Sequence, residues 1–108
     1  NVAPDSPIMT EEPFGPVVTI TPFDTIDHAI QQANHSPYGL AGYLFTDSAR
    51  SIQRASERLE VGSLAINGMG VSVPEAPFGG VKDSGYGSES GIEGMEAFLE
   101  TKFIHHCT

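Results

Sequence analysis

Cysteine is nearly missing from this 108-residue chain, with Cys107 its only example. An internal disulfide is therefore excluded, and the composition is compatible with a reducing, cytoplasmic setting. No Cys/His set for structural zinc can be assembled, and His28, His35, His105 and His106 contain no pair at i, i+4, so no metal is expected. As a nucleophile Cys107 would need a supporting base in an electropositive niche, yet it sits one residue from the end of the chain; it is read as an inert thiol. Positive charge is scarce as well. Five Lys and Arg against 14 Asp and Glu give a net charge of −9, which argues against nucleic acid or an anionic membrane surface as a partner. No apolar run approaches the ~18 residues that cross a bilayer, and no charged segment precedes an apolar one as in a signal peptide. An initiator Met is lacking and residues Val2 to Thr10 form no periodic element, with Pro4 and Pro7 suggesting extended chain or loop. The chain is expected to be a fragment of something longer. It contains no repeat and no low-complexity tract. Hydrophobic residues (39%) and 12 Gly together reach the share usual for globular proteins, so disorder is not expected.

What is present begins with a strand signal. Pro16 to Phe23 is β-branched and bounded by prolines, which predicts a short buried strand over Val17 to Thr21. Asp24 or Thr25 then caps a helix with Ile26, Ala29, Ile30 and Ala33 at helical spacing, ended by Asn34 to Pro37. A turn and a second strand follow over Tyr38 to Thr46. Asp47 or Ser48 caps a second helix carrying Ile52, Ala55 and Leu59, and Gly62 to Asn67 makes a third strand. Arg50, Arg54 and Arg58 form a basic stripe, read as a solvated helix face in so acidic a chain. Two successive strand-helix-strand units imply an α/β fold with parallel strands.

Beyond Asn67 glycine interrupts every period. The Pro77-Phe78-Gly79-Gly80 turn within this stretch suggests an ordered, functional loop. Gly85 to Gly91 looks superficially like a dinucleotide fingerprint, but its third glycine is one place late and no strand leads directly into it. The chain closes with a helix around Ile92 to Leu99 and a strand-like Thr101 to Cys107. That last segment has no sequence-adjacent partner and must pair with another domain or another subunit.

Three places carry candidate chemistry. In Glu11-Glu12-Pro13-Phe14-Gly15-Pro16-Val17, Pro13 restrains Glu12 to extended conformations and Gly15 permits a turn. A carboxylate held this way can accept hydrogen bonds from a vicinal diol beside the wall offered by Phe14; equally, the stretch can be a tight turn with two solvated acids. Ser72 and Phe78 follow the third strand, where α/β proteins place ligand groups. Glu89 is a carboxylate set in a glycine-rich loop, and a solvated loop acid is the alternative reading.

Four motifs occur in register: Glu11 to Val17; Ala33-Asn34 with Tyr38-Gly39-Leu40-Ala41; Gly62 with Asn67; and Ala76-Pro77-Phe78-Gly79-Gly80-Val81-Lys82 with Ser84, Gly85 and Gly87. Together they closely resemble the C-terminal part of the NAD(P)-dependent aldehyde dehydrogenase superfamily. The resemblance implies an enzyme that oxidises an aldehyde to a carboxylic acid through a thiohemiacetal, hydride transfer and a thioester, with NAD or NADP as cofactor. It implies that Glu12 holds the nicotinamide ribose and Phe14 walls the nicotinamide. Phe78 matches an aromatic residue of the aldehyde funnel, and Glu89 a carboxylate of a proton relay, although Ser88 stands where a basic residue is common. Ser72 to Phe78 looks most like the succinate-semialdehyde branch, in which a serine of this loop helps bind the substrate carboxylate. The family's nucleophilic cysteine, general base, oxyanion asparagine and dinucleotide-binding domain lie upstream of the region resembled, so this chain alone is expected to be inactive. Residues 1–83 would end the catalytic domain, and residues 84–108 would form a tail whose strand joins a neighbouring subunit in a homo-oligomer. An acidic, non-catalytic assembly module using that strand is the competing reading.

Overall fold

The structure, a computed structural model, describes residues 2–108. Its centre is a strand-helix-strand unit. Strand β2 (Ala41–Leu44) leads through helix α3 (Ala49–Arg58) to β3 (Ser63–Ile66), and the two strands pair in parallel with Ala41 opposite Ser63 and Leu44 opposite Ile66. The local signals explain the helices. Ser48 caps α3 by accepting the Ser51 N–H at 3.2 Å, and Thr25 caps α2 (Ile26–Asn34) by accepting the His28 N–H at 3.2 Å. Helix α2 packs on α3, burying Ile30 and Ala55, while Ala65 is buried in β3.

Arg54 and Arg58 of α3 both reach Asp27 of α2, Arg58 at 3.0 Å. Two of the three arginines of the basic stripe thus clamp one helix to the other, which corrects the reading of that stripe as a purely solvated face. Pairing across helices depends on a crossing that no local pattern encodes. The groups remain substantially exposed, so each pair contributes no more than ~1 kcal/mol.

The α/β class is as expected, but parallel pairing is confined to β2 and β3. The segment Val17 to Thr21 forms no strand, and Ile20 is 90% exposed. Its β propensity is real, yet a strand requires a ladder partner and none lies among the described residues. Strand β1 (Tyr38–Gly39) separates from β2 at Leu40 and pairs antiparallel with β4 (Val81–Lys82), a strand inside the stretch expected to be loop. Two further differences are small. Pro7–Thr10 forms a one-turn helix, α1, with Pro7 at its first position, and the closing helix α4 is shorter than expected, Gly91–Glu96. Thr101 to Cys107 is unpaired among the described residues, with Phe103 87% exposed.

The molecule measures 73 × 34 × 23 Å with a radius of gyration of 18.3 Å. A compact domain of this length would give about 13 Å. Only Ile30, Ala55 and Ala65 are buried apolar residues among those described, so the apolar edges at Val18, Ile20, Phe98 and Phe103 call for cover from outside the unit. No helix among the described residues is long and apolar enough to cross a membrane.

Glycine permits the closest approach in this fold. A Cβ on Gly62 would overlap the carbonyl of Gly79, whereas one on Gly70 would meet nothing. Gly62→Ala is therefore expected to destabilise the intact protein by ~1–3 kcal/mol, and Gly70→Ala by less than ~0.5 kcal/mol. Thermal unfolding of the two variants side by side checks this; equal midpoints would contradict the packing described.

Candidate functional site

The glycine-rich stretch is ordered by reciprocal backbone bonds. Phe78 N–H donates to the Glu89 carbonyl at 2.8 Å and Glu89 N–H donates to the Phe78 carbonyl at 2.7 Å, closing a loop on an antiparallel bridge. Gly91 N–H donates to the Pro74 carbonyl at 3.0 Å, tying the Ser72 side of the loop to the start of α4. Gly91 has a φ of 60°, and a Cβ there would press on the backbone of Ala76 and Pro77. Two of the expected site residues, Phe78 and Glu89, are thus neighbours through their backbones. Phe78 is half-buried, and Glu89 and Ser72 are exposed.

Glu12 lies elsewhere. It lines a cleft of about 560 Å³ together with Ser36, Tyr38, Tyr43, Leu59 and Ser84, and it takes part in none of the ion pairs among the described residues. Phe14 is 94% exposed and, like Ser72, Phe78 and Glu89, lies outside that cleft. The Pro13 and Gly15 loop therefore presents its ring to the outside and its carboxylate to the cleft, with no ion pair to either among the described residues. The chain does not by itself gather all five residues around one cavity.

Several motif residues have structural work that their pattern did not reveal. Asn34, the last residue of α2, donates from Nδ2 to the Arg58 carbonyl (2.8 Å) and accepts the Glu60 N–H on Oδ1 (2.9 Å), joining α2 to the link between α3 and β3. Asn67 has a φ of 53° and grips Thr46 twice: Oδ1 accepts its N–H at 2.8 Å and Nδ2 donates to its carbonyl at 2.9 Å. This fixes the end of β3 at the point where the Ser72 loop departs. Lys82 also sits at positive φ, 54°, a conformation that costs a non-glycine residue ~1–2 kcal/mol. Its ammonium donates to the carbonyls of Asn34 (2.7 Å) and Ser36 (3.1 Å) and pairs with Glu60 at 2.5 Å. Ser84 Oγ accepts the Gly39 N–H at 2.9 Å. The signal available in the sequence was membership of a motif, which marks a position without stating its task.

No group of His, Cys, Asp and Glu suited to a metal ion occurs among the described residues. Cys107 Sγ lies 3.6 Å from His105 Nε2 on the exposed terminal segment. Arg54, Arg58 and Lys82 are engaged internally, so of the five cationic side chains Arg50 and Lys102 are outside the ion pairs formed among the described residues. The exposed loops consequently offer carboxylates, hydroxyls and rings, suited to hydroxyl-rich and flat ligands more than to phosphates.

Residues 1–104 match the sequence description of the aldehyde dehydrogenase family. A 4-(hydroxymethyl)benzenesulfonate dehydrogenase of Comamonas testosteroni is 78% identical over 102 residues, which are 94% of this chain and 21% of that protein. A mitochondrial succinate-semialdehyde dehydrogenase of Oryza sativa subsp. japonica is 46% identical over 104 residues, 96% of this chain and 20% of that protein. Among solved structures, betaine aldehyde dehydrogenase of Staphylococcus aureus in complex with NAD+ superimposes with a TM-score of 0.89 at 44% identity, covering 94% of this chain and 20% of that one. The chain thus spans about a fifth of the length of the relatives it matches.

Proposed function

We infer, since this chain belongs to the aldehyde dehydrogenase family, that its intact protein is an NAD(P)-dependent oxidoreductase converting an aldehyde to a carboxylic acid. The observation that carries this reading is the match of residues 1–104 to the family, supported by a Glu12 that lines a cleft outside the ion pairs of the described residues and a Phe14 that is 94% exposed. The nucleophilic cysteine and the general base would belong to the rest of the protein. Residues 1–83 would complete the catalytic domain and residues 84–108 its tail.

A bound NAD or NADP supplies a nicotinamide that accepts hydride from the substrate carbon. The residues present fit one side of such a group. The Glu12 carboxylate would accept from the ribose hydroxyls and so help orient the ring, and the exposed Phe14 side chain would give it an apolar wall. Phe78 lines the approach of the aldehyde. Glu89 would be the carboxylate that passes a proton at the edge of that approach, a reading supported by its backbone bonds to Phe78.

The substrate is an aldehyde with an anionic group at its far end, succinic semialdehyde or a compound like it. Ser72 supports this, since its hydroxyl donates a hydrogen bond to an anion where an aromatic ring would desolvate it. A second form of the same reading is an aromatic aldehyde bearing a sulfonate; the Comamonas relative, named for a sulfonated benzylic alcohol, supports the sulfonated ring though not the aldehyde. Both candidates share the distal oxyanion.

The exposed Phe103 and Ile104 support a tail that adds as an edge strand to the sheet of a second subunit, giving a homo-oligomer. A purely non-catalytic assembly module would use the same strand. The lone cysteine fits a cytoplasmic site of action.

Glu12→Ala in the intact enzyme is expected to slow hydride transfer roughly ten- to a hundredfold, the worth of a charged hydrogen-bonding group, as read by stopped-flow detection of reduced cofactor. An unchanged rate would count against the ribose role. Ser72→Ala should raise KM several-fold for succinic semialdehyde and for the sulfonated aromatic aldehyde, while leaving neutral aldehydes of similar length alone; equal effects on charged and neutral substrates would remove the anion assignment. Deleting Phe103 to Thr108 should lower the sedimentation coefficient of the intact protein, and an unaltered assembly state would refute the strand role.

A further inference from the structure

We propose that Lys82 is a positioning residue for the aldehyde side of the site: its ammonium anchors the Gly79 to Ser84 segment to the C-terminal end of α2 and thereby fixes Phe78. This rests on the reading that Phe78 lines the aldehyde's approach, a reading in which Lys82 has no part.

The ammonium is fully employed. Its three donors meet three acceptors, the carbonyls of Asn34 (2.7 Å) and Ser36 (3.1 Å) and the carboxylate of Glu60 (2.5 Å). Asn34 and Ser36 lie at and just beyond the end of α2, where carbonyls lack helical partners and the helix dipole favours a cation. The Lys82 side chain is 25% exposed and that of its Glu60 partner 54%, so the carbonyl contacts rather than the ion pair contribute most of the anchoring. Its backbone conformation is the left-handed one, which a lysine adopts here while its head group is held.

From Lys82 back to Phe78 the chain has little room to move. A Cβ on Gly79 would strike the Gly87 carbonyl, and one on Gly80 would strike Ser84. Gly79 also fills the space against which Gly62 packs. Val81 and Lys82 pair with Gly39 and Tyr38, Asp83 N–H donates to the Pro37 carbonyl at 3.0 Å, and Ser84 Oγ holds the Gly39 N–H at 2.9 Å. A displacement at Lys82 is therefore passed on to Phe78. Glu12 faces the same cleft as Ser36, Tyr38 and Ser84 of this network but shares no hydrogen bond or ion pair with it among the described residues, and the Asn67 turn is bonded to Thr46 instead.

Arginine should substitute poorly, because a planar fork cannot converge three donors on acceptors arranged around a point charge. The test uses the intact enzyme as Lys82→Met, Lys82→Arg, Glu60→Gln and Phe78→Ala, with KM for aldehyde, KM for cofactor and kcat measured separately. Lys82→Met is expected to raise the aldehyde KM roughly tenfold, with cofactor KM and kcat changed less than about twofold. Lys82→Arg should restore only part of that, and Glu60→Gln, which leaves both carbonyl contacts in place, should raise the aldehyde KM by about threefold. If Lys82→Met does not fold, Glu60→Gln decides the matter alone. An unchanged aldehyde KM, or parallel rises in both KM values that betray general loosening, overturns the proposal. Phe78→Ala separates it from the reading beneath it: a raised aldehyde KM there with none in Lys82→Met refutes the positioning role only, and no rise in Phe78→Ala refutes both.

Discussion

The end of α2 leaves backbone carbonyls without helical partners, and a lysine almost fifty residues further along the chain comes back to satisfy them. Around that contact three segments meet. Asn34 reaches to Arg58 and Glu60, Glu60 pairs with Lys82, and Ser84 closes on Gly39. Each bond is modest in isolation. Together they set where β4 lies and hence where the loop carrying Phe78 begins, in a unit whose apolar core is too small to impose that order.

The rest of the molecule is arranged for cover from outside. Its extended apolar edges at Val17 to Thr21 and Thr101 to Cys107 have the composition of strands and no ladder among the described residues. Its candidate ligand groups are likewise one-sided. Glu12 and Phe14 present a carboxylate and a ring, while cations suited to a dinucleotide's phosphates are few and mostly engaged with Asp27 and Glu60. The chain spans about a fifth of the length of its relatives.

What could be read from the sequence was what local chemistry decides. Thr25 and Ser48 cap their helices, and the periodic residues Ile30 and Ala55 turn inward. Strand β3 (Ser63–Ile66) forms within the Gly62 to Asn67 stretch expected for it. Long-range pairing was not legible. Strand β4 is two residues in a glycine-rich stretch and exists only because Tyr38 and Gly39 lie beside it, and the Asp27 clamp depends on how two helices cross. Val17 to Thr21 failed in the opposite sense, having propensity without a partner. For the candidate site, the motifs contained Glu12, Phe14 and Phe78, with Ser72 and Glu89 beside them, but said nothing of which would touch. The Phe78 and Glu89 bridge emerged from backbone geometry, as did the bonds that occupy Asn34, Asn67 and Lys82.

On this reading the Glu12 and Phe14 loop forms one wall of a nicotinamide site. A structure of the intact protein with NAD bound tests it most directly. The account predicts both Glu12 carboxylate oxygens within about 3.2 Å of the nicotinamide ribose hydroxyls, with the Phe14 ring against the nicotinamide. A ribose held by other groups, with Glu12 turned to solvent, would contradict it.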